Sequence, residues 1–254
     1  MNFHIMTLFP EMVEAGLNTS IIGRAVQAGH ISIDTVNFRE YTNEKHGHVD
    51  DTPYGGGAGM IIMCQPVYDA WKDICEKIAS RRGEEKPVRV LYTSPAGARF
   101  DQDMAVSLAG EEDLIILCGH YEGVDQRVLD LIGAQEVSIG DYVLTGGELA
   151  AMVMMDAISR MIPGVLTNEL SGLDESFSDY LLEYPQYTRP EVWHEKAVPE
   201  ILLSGHHANV DRWRRDESIK RTLERRPELL EKVQLDKKDQ KVLRELLANR
   251  EETC

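Results

Sequence analysis

Five short β-type runs, each followed by a helical pattern, fill the first 160 or so residues, and this alternation restricts the chain to an α/β architecture. The strands are expected at Phe3–Phe9, Ile31–Phe38, Val88–Thr93, Leu114–Cys118 and Glu136–Ile139. Helices are expected at Glu11–Ala28 (closed by Gly29), Gln65–Ala79, Asp101–Ala109, Val124–Leu131 and Glu148–Met161, the last stopped near Pro163. Ile31–Phe38 alternates apolar and polar residues, whereas Leu114–Cys118 is apolar throughout, as a strand covered on both faces must be. Within Gln65–Ala79, Val67, Trp71, Ile74 and Ile78 recur on one helical face. The expected fold is a mainly parallel sheet, whose ligands bind beyond the carboxyl ends of the strands. Three loops leave those ends: Ser94–Arg99, Gly119–Gly123 and Gly140–Gly147.

The periodicity stops after the fifth helix. Residues 164–190 are rich in Ser, Asp, Glu, Gly and Pro and read as a linker or loop. From Glu191 the pattern is helical, with Val210, Trp213, Ile219 and Leu223 at i,i+3 and i,i+4 spacing and Pro227 as a break. The expected organisation is an α/β domain over 1–163, a connecting segment over 164–190 and a small all-helical domain over 191–254. A chain of 254 residues can build its core without disulfides or metals. No apolar run approaches the ~20 residues that span a bilayer. The start, MNFHIMTLFPEM, lacks a basic n-region and a small-residue cleavage site and reads as a buried strand. Cys64, Cys75, Cys118 and Cys254 form no CxxC pair and meet no histidines at zinc-ligand spacing, as expected of reduced thiols in a cytoplasmic protein.

The net charge of −16 excludes a generic nucleic-acid coat. The basic residues are unevenly placed, however. Arg212, Arg214, Arg215, Lys220, Arg221, Arg225 and Arg226 face only Asp216, Glu217 and Glu224 within 15 residues. Such a segment is either a polyanion contact or a solvated helix face.

Three segments carry the candidate chemistry. HGHVDDTPYGGGAGM, residues 46–60, puts five glycines and an Asp pair in one loop; it is not a Walker loop, since no GKS or GKT follows. It is either a flexible turn or a surface that lets backbone approach a ligand, with Asp50 and Gly59 the candidate contacts. LCGHYEG, residues 117–123, leaves the central strand through Gly119, with Tyr121 placed to cover a ring and Glu122 to accept from hydroxyls or cationic nitrogens. SIGDYVLTGGELA, residues 138–150, repeats this arrangement one strand later. That loop has no basic residue, which disfavours a triphosphate and points to a neutral or zwitterionic ligand.

Taken together, YTSPAG, LCGHYEGVDQR, SIGDYVLTGGE, ISRMIPGVL and LLEYPQYTRPE closely resemble the bacterial tRNA (guanine-N1)-methyltransferase family, TrmD, of the SPOUT superfamily, in the same order from Phe3 to about Leu247. The resemblance implies a trefoil-knotted α/β domain, S-adenosylmethionine as methyl donor, and methylation of N1 of guanosine 37 in tRNA. It also implies a homodimer with a composite active site, a helical domain that grips tRNA, and no DNA or membrane partner. Mg2+ assistance is implied at a site the sequence does not place. Carried over, the cofactor contacts are Tyr92, Ser94, Pro95, Gly119, Tyr121, Glu122, Gly123, Ile139, Gly140, Asp141, Tyr142, Val143, Leu144, Gly146 and Gly147. The tRNA contacts are Asp50, Gly59, Arg212, Arg214 and Arg215. Ala150 replaces the proline usual after GGEL, at a helix start where proline is favoured but not required.

The resemblance places Arg160 at the family's conserved arginine. It places Glu175 where the family has the Asp of a DSF motif, with Asp174 as the neighbouring alternative. Guanine N1 carries a proton at neutral pH, so a carboxylate must take it as the methyl arrives. Charge then builds on O6, where a guanidinium can stabilise it. Two rivals remain open: a SPOUT enzyme acting on another RNA atom, and a non-catalytic RNA-binding module.

Overall fold

A computed structural model describes residues 1–166 and 175–251. The chain divides into two compact units, Met1–Thr167 and Asn168–Cys254.

The first unit is built on a five-stranded sheet of β1 (Asn2–Thr7), β2 (Ser32–Asn37), β5 (Arg89–Arg99), β6 (Asp113–Cys118) and β7 (Gln135–Ser138), in the order β2-β1-β6-β5-β7. All four pairings are parallel, as the sequence predicts. Alternate side chains of the central strands enter cores on opposite faces. Phe3, Ile5, Leu114, Ile116 and Cys118 pack on one face with α1 (Pro10–Leu17), α2 (Ser20–Gln27) and α6 (Glu148–Arg160). Met6, Ile115 and Leu117 pack on the other with Val67, Ala70, Ile74 and Ile78 of α3 (Cys64–Arg82) and Val128 and Leu129 of α5 (Gln126–Leu131). Both faces of β6 are therefore covered, which is why its sequence is apolar without alternation. α4 (Gln102–Leu108) completes the first layer, capped by Asp101, whose side chain accepts from the Met104 amide at 3.0 Å. A two-residue pair, β3 (Asp50–Asp51) and β4 (Ile61–Ile62), flanks the glycine-rich loop.

Two local expectations are revised. The helix expected over Glu11–Ala28 is two helices, broken at Asn18–Thr19–Ser20, with Ser20 at φ 55°. Asn, Thr and Ser compete with helical hydrogen bonding through their own side chains, and a break there follows. β5 runs on to Arg99, because after a bulge between Thr93 and Ala98 it rejoins β7. Ser94 to Gly97 are thereby thrust out of the ladder at the sheet's carboxyl edge.

At the opposite edge, Asp113 begins β6 and is 1% exposed. It accepts from His4 Nε2 at 3.0 Å and from Arg81, and forms an ion pair with Arg82 at 2.6 Å. Burial pushes its carboxyl up, but Arg81, His4 and Arg82 outweigh this and hold it below the ordinary carboxylate range. A depressed folded-state pKa contributes stability that is complete above the unfolded value of about 3.9 and lost as pH falls through the folded one. Asp113→Asn is expected to lower stability at pH 7 by on the order of 3 kcal/mol, and by less as pH approaches 3. Urea midpoints at pH 7, 5 and 3 check this; a pH-independent difference would contradict it.

The second unit contains α7 (Glu200–Leu203), α8 (His207–Arg225) and α9 (Lys237–Glu251). Val210, Ile219 and Leu223 are buried, and α8 stops before Pro227, as expected. The helical pattern expected from Glu191 begins later. A hairpin of β8 (Val192–Trp193) and β9 (Lys196–Ala197) precedes it, turning through His194 (φ 45°) and Glu195 (φ 63°). Two consecutive left-handed residues make the tight turn that suits the twist of a hairpin. Neither is glycine, so no turn signal marks it in the sequence.

Candidate functional site

The carboxyl ends of β5, β6 and β7 converge on a cleft of about 290 Å³ in the first unit. Fourteen of the fifteen residues expected at a cofactor line it; the exception, Asp141, is exposed and outside the lining. Tyr92 comes from β5, and Ser94 and Pro95 from its bulge. Gly119, Tyr121, Glu122 and Gly123 come from the loop after β6, and Ile139, Gly140 and Tyr142 to Gly147 from the loop after β7. No Lys or Arg lines the cleft, in keeping with a ligand that carries no phosphates.

The walls are held by short-range bonds. Ser94 donates to Glu136 at 2.6 Å and accepts from the Ala96 amide at 3.2 Å, which shapes the bulge. Ser138 accepts from the Gly140 amide and donates to its carbonyl, at 3.2 and 3.0 Å. Burial and the Glu136 carboxylate push the Tyr92 phenol up, so its ring serves as a neutral wall. Gly147 donates its N–H to the Gly119 carbonyl at 2.9 Å and joins two of the loops. A Cβ on Gly147 would fall 2.0 Å from Thr93 Oγ1 and 2.8 Å from Cys118 Cα, so no other residue fits.

The glycine-rich loop abuts this cleft. The Glu122 amide donates to the Met60 carbonyl at 3.0 Å, and the Ile62 amide to the Gly123 carbonyl at 2.9 Å. Gly59, at φ 89°, lies where a Cβ would overlap the Glu122 side chain. Asp50 pairs with Ile62 across β3 and β4 and is not among the lining residues. The apex is open to solvent, with Tyr54 fully exposed.

Sequence reasoning missed a buried polar group behind the cleft. Glu148 is 1% exposed, accepts from Thr7 Oγ1 at 2.6 Å, and has both oxygens 2.8 Å from His120 Nε2. The available signal was an acidic residue opening a helix whose next seven residues are apolar, where the dipole favours it. Nothing in the sequence tells that the helix start is buried.

Arg160 is the last residue of α6 in the first unit. Glu175 belongs to the second unit, where it lines a groove of about 360 Å³ with Asp179, Leu181, Tyr184, Arg214 and Arg215. The Glu175 carbonyl accepts from the Ser178 amide at 3.2 Å, and the following turn is tied to α8 by the Leu182 amide donating to Thr222 Oγ1 at 2.9 Å. Asp174 lies outside the described residues.

The arginines expected to touch tRNA are engaged within the unit. Arg212 is bound by Asp216 and by Asp239 at 2.9 Å, and Arg215 by Asp179 and by Asp239 at 3.0 Å. Arg214 lies over the Tyr184 ring at 5.1 Å, with Asp211 at 3.4 Å. Asp239 is 3% exposed, so these ions act as internal ties of α8 and α9. Among the described residues, Lys220, Arg221 and Arg225 of α8 have no carboxylate at ion-pair distance, and Lys220 and Arg225 are exposed. Also among the described residues, no three His, Cys, Asp or Glu side chains come together as a metal-binding group, and no helix is long and apolar enough to cross a membrane. Cys64, Cys75 and Cys118 are free thiols.

The family model described as "tRNA (Guanine-1)-methyltransferase TrmD" matches residues 1–232. A tRNA (guanine-N(1)-)-methyltransferase of Lachnoclostridium phytofermentans is 52% identical, over 97% of this chain and 97% of its own. Proteins of the same name from Lachnospira eligens and Caldanaerobacter subterraneus subsp. tengcongensis are 56% and 52% identical, covering 91% and 96% of this chain and 95% and 98% of theirs. With a matching family model and relatives of this identity over nearly the whole length, the chain belongs to the TrmD family of tRNA (guanine-N1)-methyltransferases.

Proposed function

We propose that the protein transfers a methyl group from S-adenosylmethionine to N1 of guanosine 37 in tRNA. The observation that carries this reading is the convergence of the three glycine-bearing loops on one cation-free cleft. The residues present suit the cofactor. Gly140, Gly146 and Gly147 leave backbone groups open to an adenine ring, Val143 and Leu144 offer apolar cover, and Glu122 can accept from ribose hydroxyls or an ammonium. Close crossing of the three loops, with no space for a Cβ at Gly147, is what the family's trefoil threading demands.

When bound, S-adenosylmethionine supplies an electrophilic methyl group on a sulfonium that leaves as a neutral thioether. The remaining steps fall to this chain. Its pocket contacts offset the few kcal/mol needed to unstack the target base. Glu175 takes the N1 proton and Arg160 donates to O6 as negative charge gathers there. Alignment of N1 with the methyl group supplies much of the remaining rate.

Phosphate contact falls to Lys220, Arg221 and Arg225, since carboxylates already hold Arg212 and Arg215. Lys220→Ala with Arg225→Ala is expected to lower the salt slope of tRNA binding by about 2, near one for each phosphate no longer neutralised. Fluorescence anisotropy from 50 to 200 mM KCl measures it, and an unchanged slope would remove these residues from the interface. The protein is read as a homodimer through the exposed apolar side chains Phe9 and Met12 at α1 and Leu149 and Val153 on α6. Light scattering should give twice the chain mass for the wild type and the single mass for Val153→Glu. A wild-type monomer would refute the dimer. We place the enzyme in the cytoplasm, with its tRNA.

The deciding experiment incubates the protein with S-adenosylmethionine and tRNA transcripts carrying guanosine or adenosine at position 37. The reading requires 1-methylguanosine at 37 in the first transcript and no product in the second. Methylation elsewhere would make it a different SPOUT enzyme; binding without transfer would make it an RNA-binding module.

A further inference from the structure

We propose that Thr7, Glu148 and His120 form a buried polar latch that holds the two glycine loops of the cleft in register for the cofactor, with His120 as the positioning residue. This rests on reading the cleft as the S-adenosylmethionine site.

The latch joins three parts of the chain that are far apart in sequence. Thr7 ends β1, His120 follows β6, and Glu148 opens α6 directly after the Gly146–Gly147 pair. The Phe9 amide donates to Thr7 Oγ1 at 2.9 Å, and Thr7 Oγ1 donates to Glu148 at 2.6 Å. Both Glu148 oxygens lie 2.8 Å from His120 Nε2. A carboxylate only accepts, so His120 Nε2 carries a proton in this arrangement. The side chains of Glu148 and His120 are 2% and 14% exposed, so water cannot replace the contact. The Phe9 ring packs 4.9 Å from the imidazole and limits its rotation.

His120 lies in the loop that forms one wall of the cleft, and Glu148 ends the loop that forms the other. Buried beneath the glycines, Glu148 cannot reach a ligand itself. Its bond to His120 acts instead through the spacing of Gly119–Gly123 and Gly140–Gly147, next to the backbone bond from Gly147 to Gly119. Glycine loops have little intrinsic preference for one conformation, so their geometry must be imposed from outside.

The test is steady-state kinetics on the full chain, varying S-adenosylmethionine at saturating tRNA. His120→Ala should raise the cofactor KM by about tenfold, the ratio given by losing one to one and a half kcal/mol of hydrogen bonding, while kcat changes less than threefold. His120→Arg, which can offer two parallel N–H donors to the two oxygens, should bring KM back to within about threefold of wild type. If His120→Ala does not fold, Thr7→Val removes one hydroxyl at constant volume and should raise KM about threefold. An unchanged KM, a loss confined to kcat, or failure of the folded His120→Arg protein to recover would overturn the latch. A wild-type protein that does not bind S-adenosylmethionine would instead overturn the reading of the cleft.

Discussion

The Glu175→Gln protein is expected to bind S-adenosylmethionine as the wild type does and to lose methyl transfer by about two to four orders of magnitude. The substitution keeps the shape of the side chain and removes only its capacity to take a proton. A single-turnover measurement isolates the chemical step from product release. The backbone around residue 175 is held by the Ser178 amide and by the tie from Leu182 to Thr222, so the isosteric change should not unfold the segment. Glutamate has one methylene more than the aspartate usual at this motif, which extends its reach without changing its chemistry. Asp174→Asn measured in parallel assigns the base: full turnover in Glu175→Gln with loss in Asp174→Asn transfers the role to Asp174.

Gly147→Ala is expected to disable the cleft. The added carbon meets Thr93 Oγ1, Cys118 Cα and the Gly119 nitrogen at 2.0, 2.8 and 2.9 Å. Two of these are backbone atoms of the central strand and its loop, so the strain cannot be relieved by turning a side chain. Overpacking of this kind costs about 1–3 kcal/mol. Because relief requires the two loops to separate, cofactor affinity should fall by about one to two orders of magnitude. Gly110→Ala is the control, since its nearest neighbour would be Ser107 O at 3.5 Å. Isothermal titration with S-adenosylmethionine compares them; equal affinity would mean that the crossing has room for the extra carbon.

Much of the first unit was legible in the sequence because its signals are local. Leu114–Cys118 is apolar from end to end because both faces are buried, and the strand–helix alternation leaves few ways to connect a parallel sheet. The cleft loops were legible because glycines stand directly after strands. Other features depend on partners that sequence spacing does not show. The ties from Arg212 and Arg215 to Asp239 join α8 to α9, and a charge run alone reads as free cations. The Thr7–Glu148–His120 group spans 141 positions between its first and last members. The β8–β9 turn lacks glycine, and the break between α1 and α2 hangs on three small polar residues.

The place of β6 has a consequence for how the chain acquires its fold. Strand β1 borders β2 and β6, and β5 borders β6 and β7, so β6 alone joins the two halves of the sheet. Asn2 pairs with Asp113, a separation that makes ordering slow compared with a hairpin. As the chain leaves the ribosome, β1 and β2 can meet early, yet their sheet keeps an unpaired edge until Cys118 has emerged. An unpaired strand edge is the kind of surface on which nascent chains associate wrongly. The carboxyl end of the same late strand carries Gly119 and His120, so the cleft takes shape only when the sheet closes.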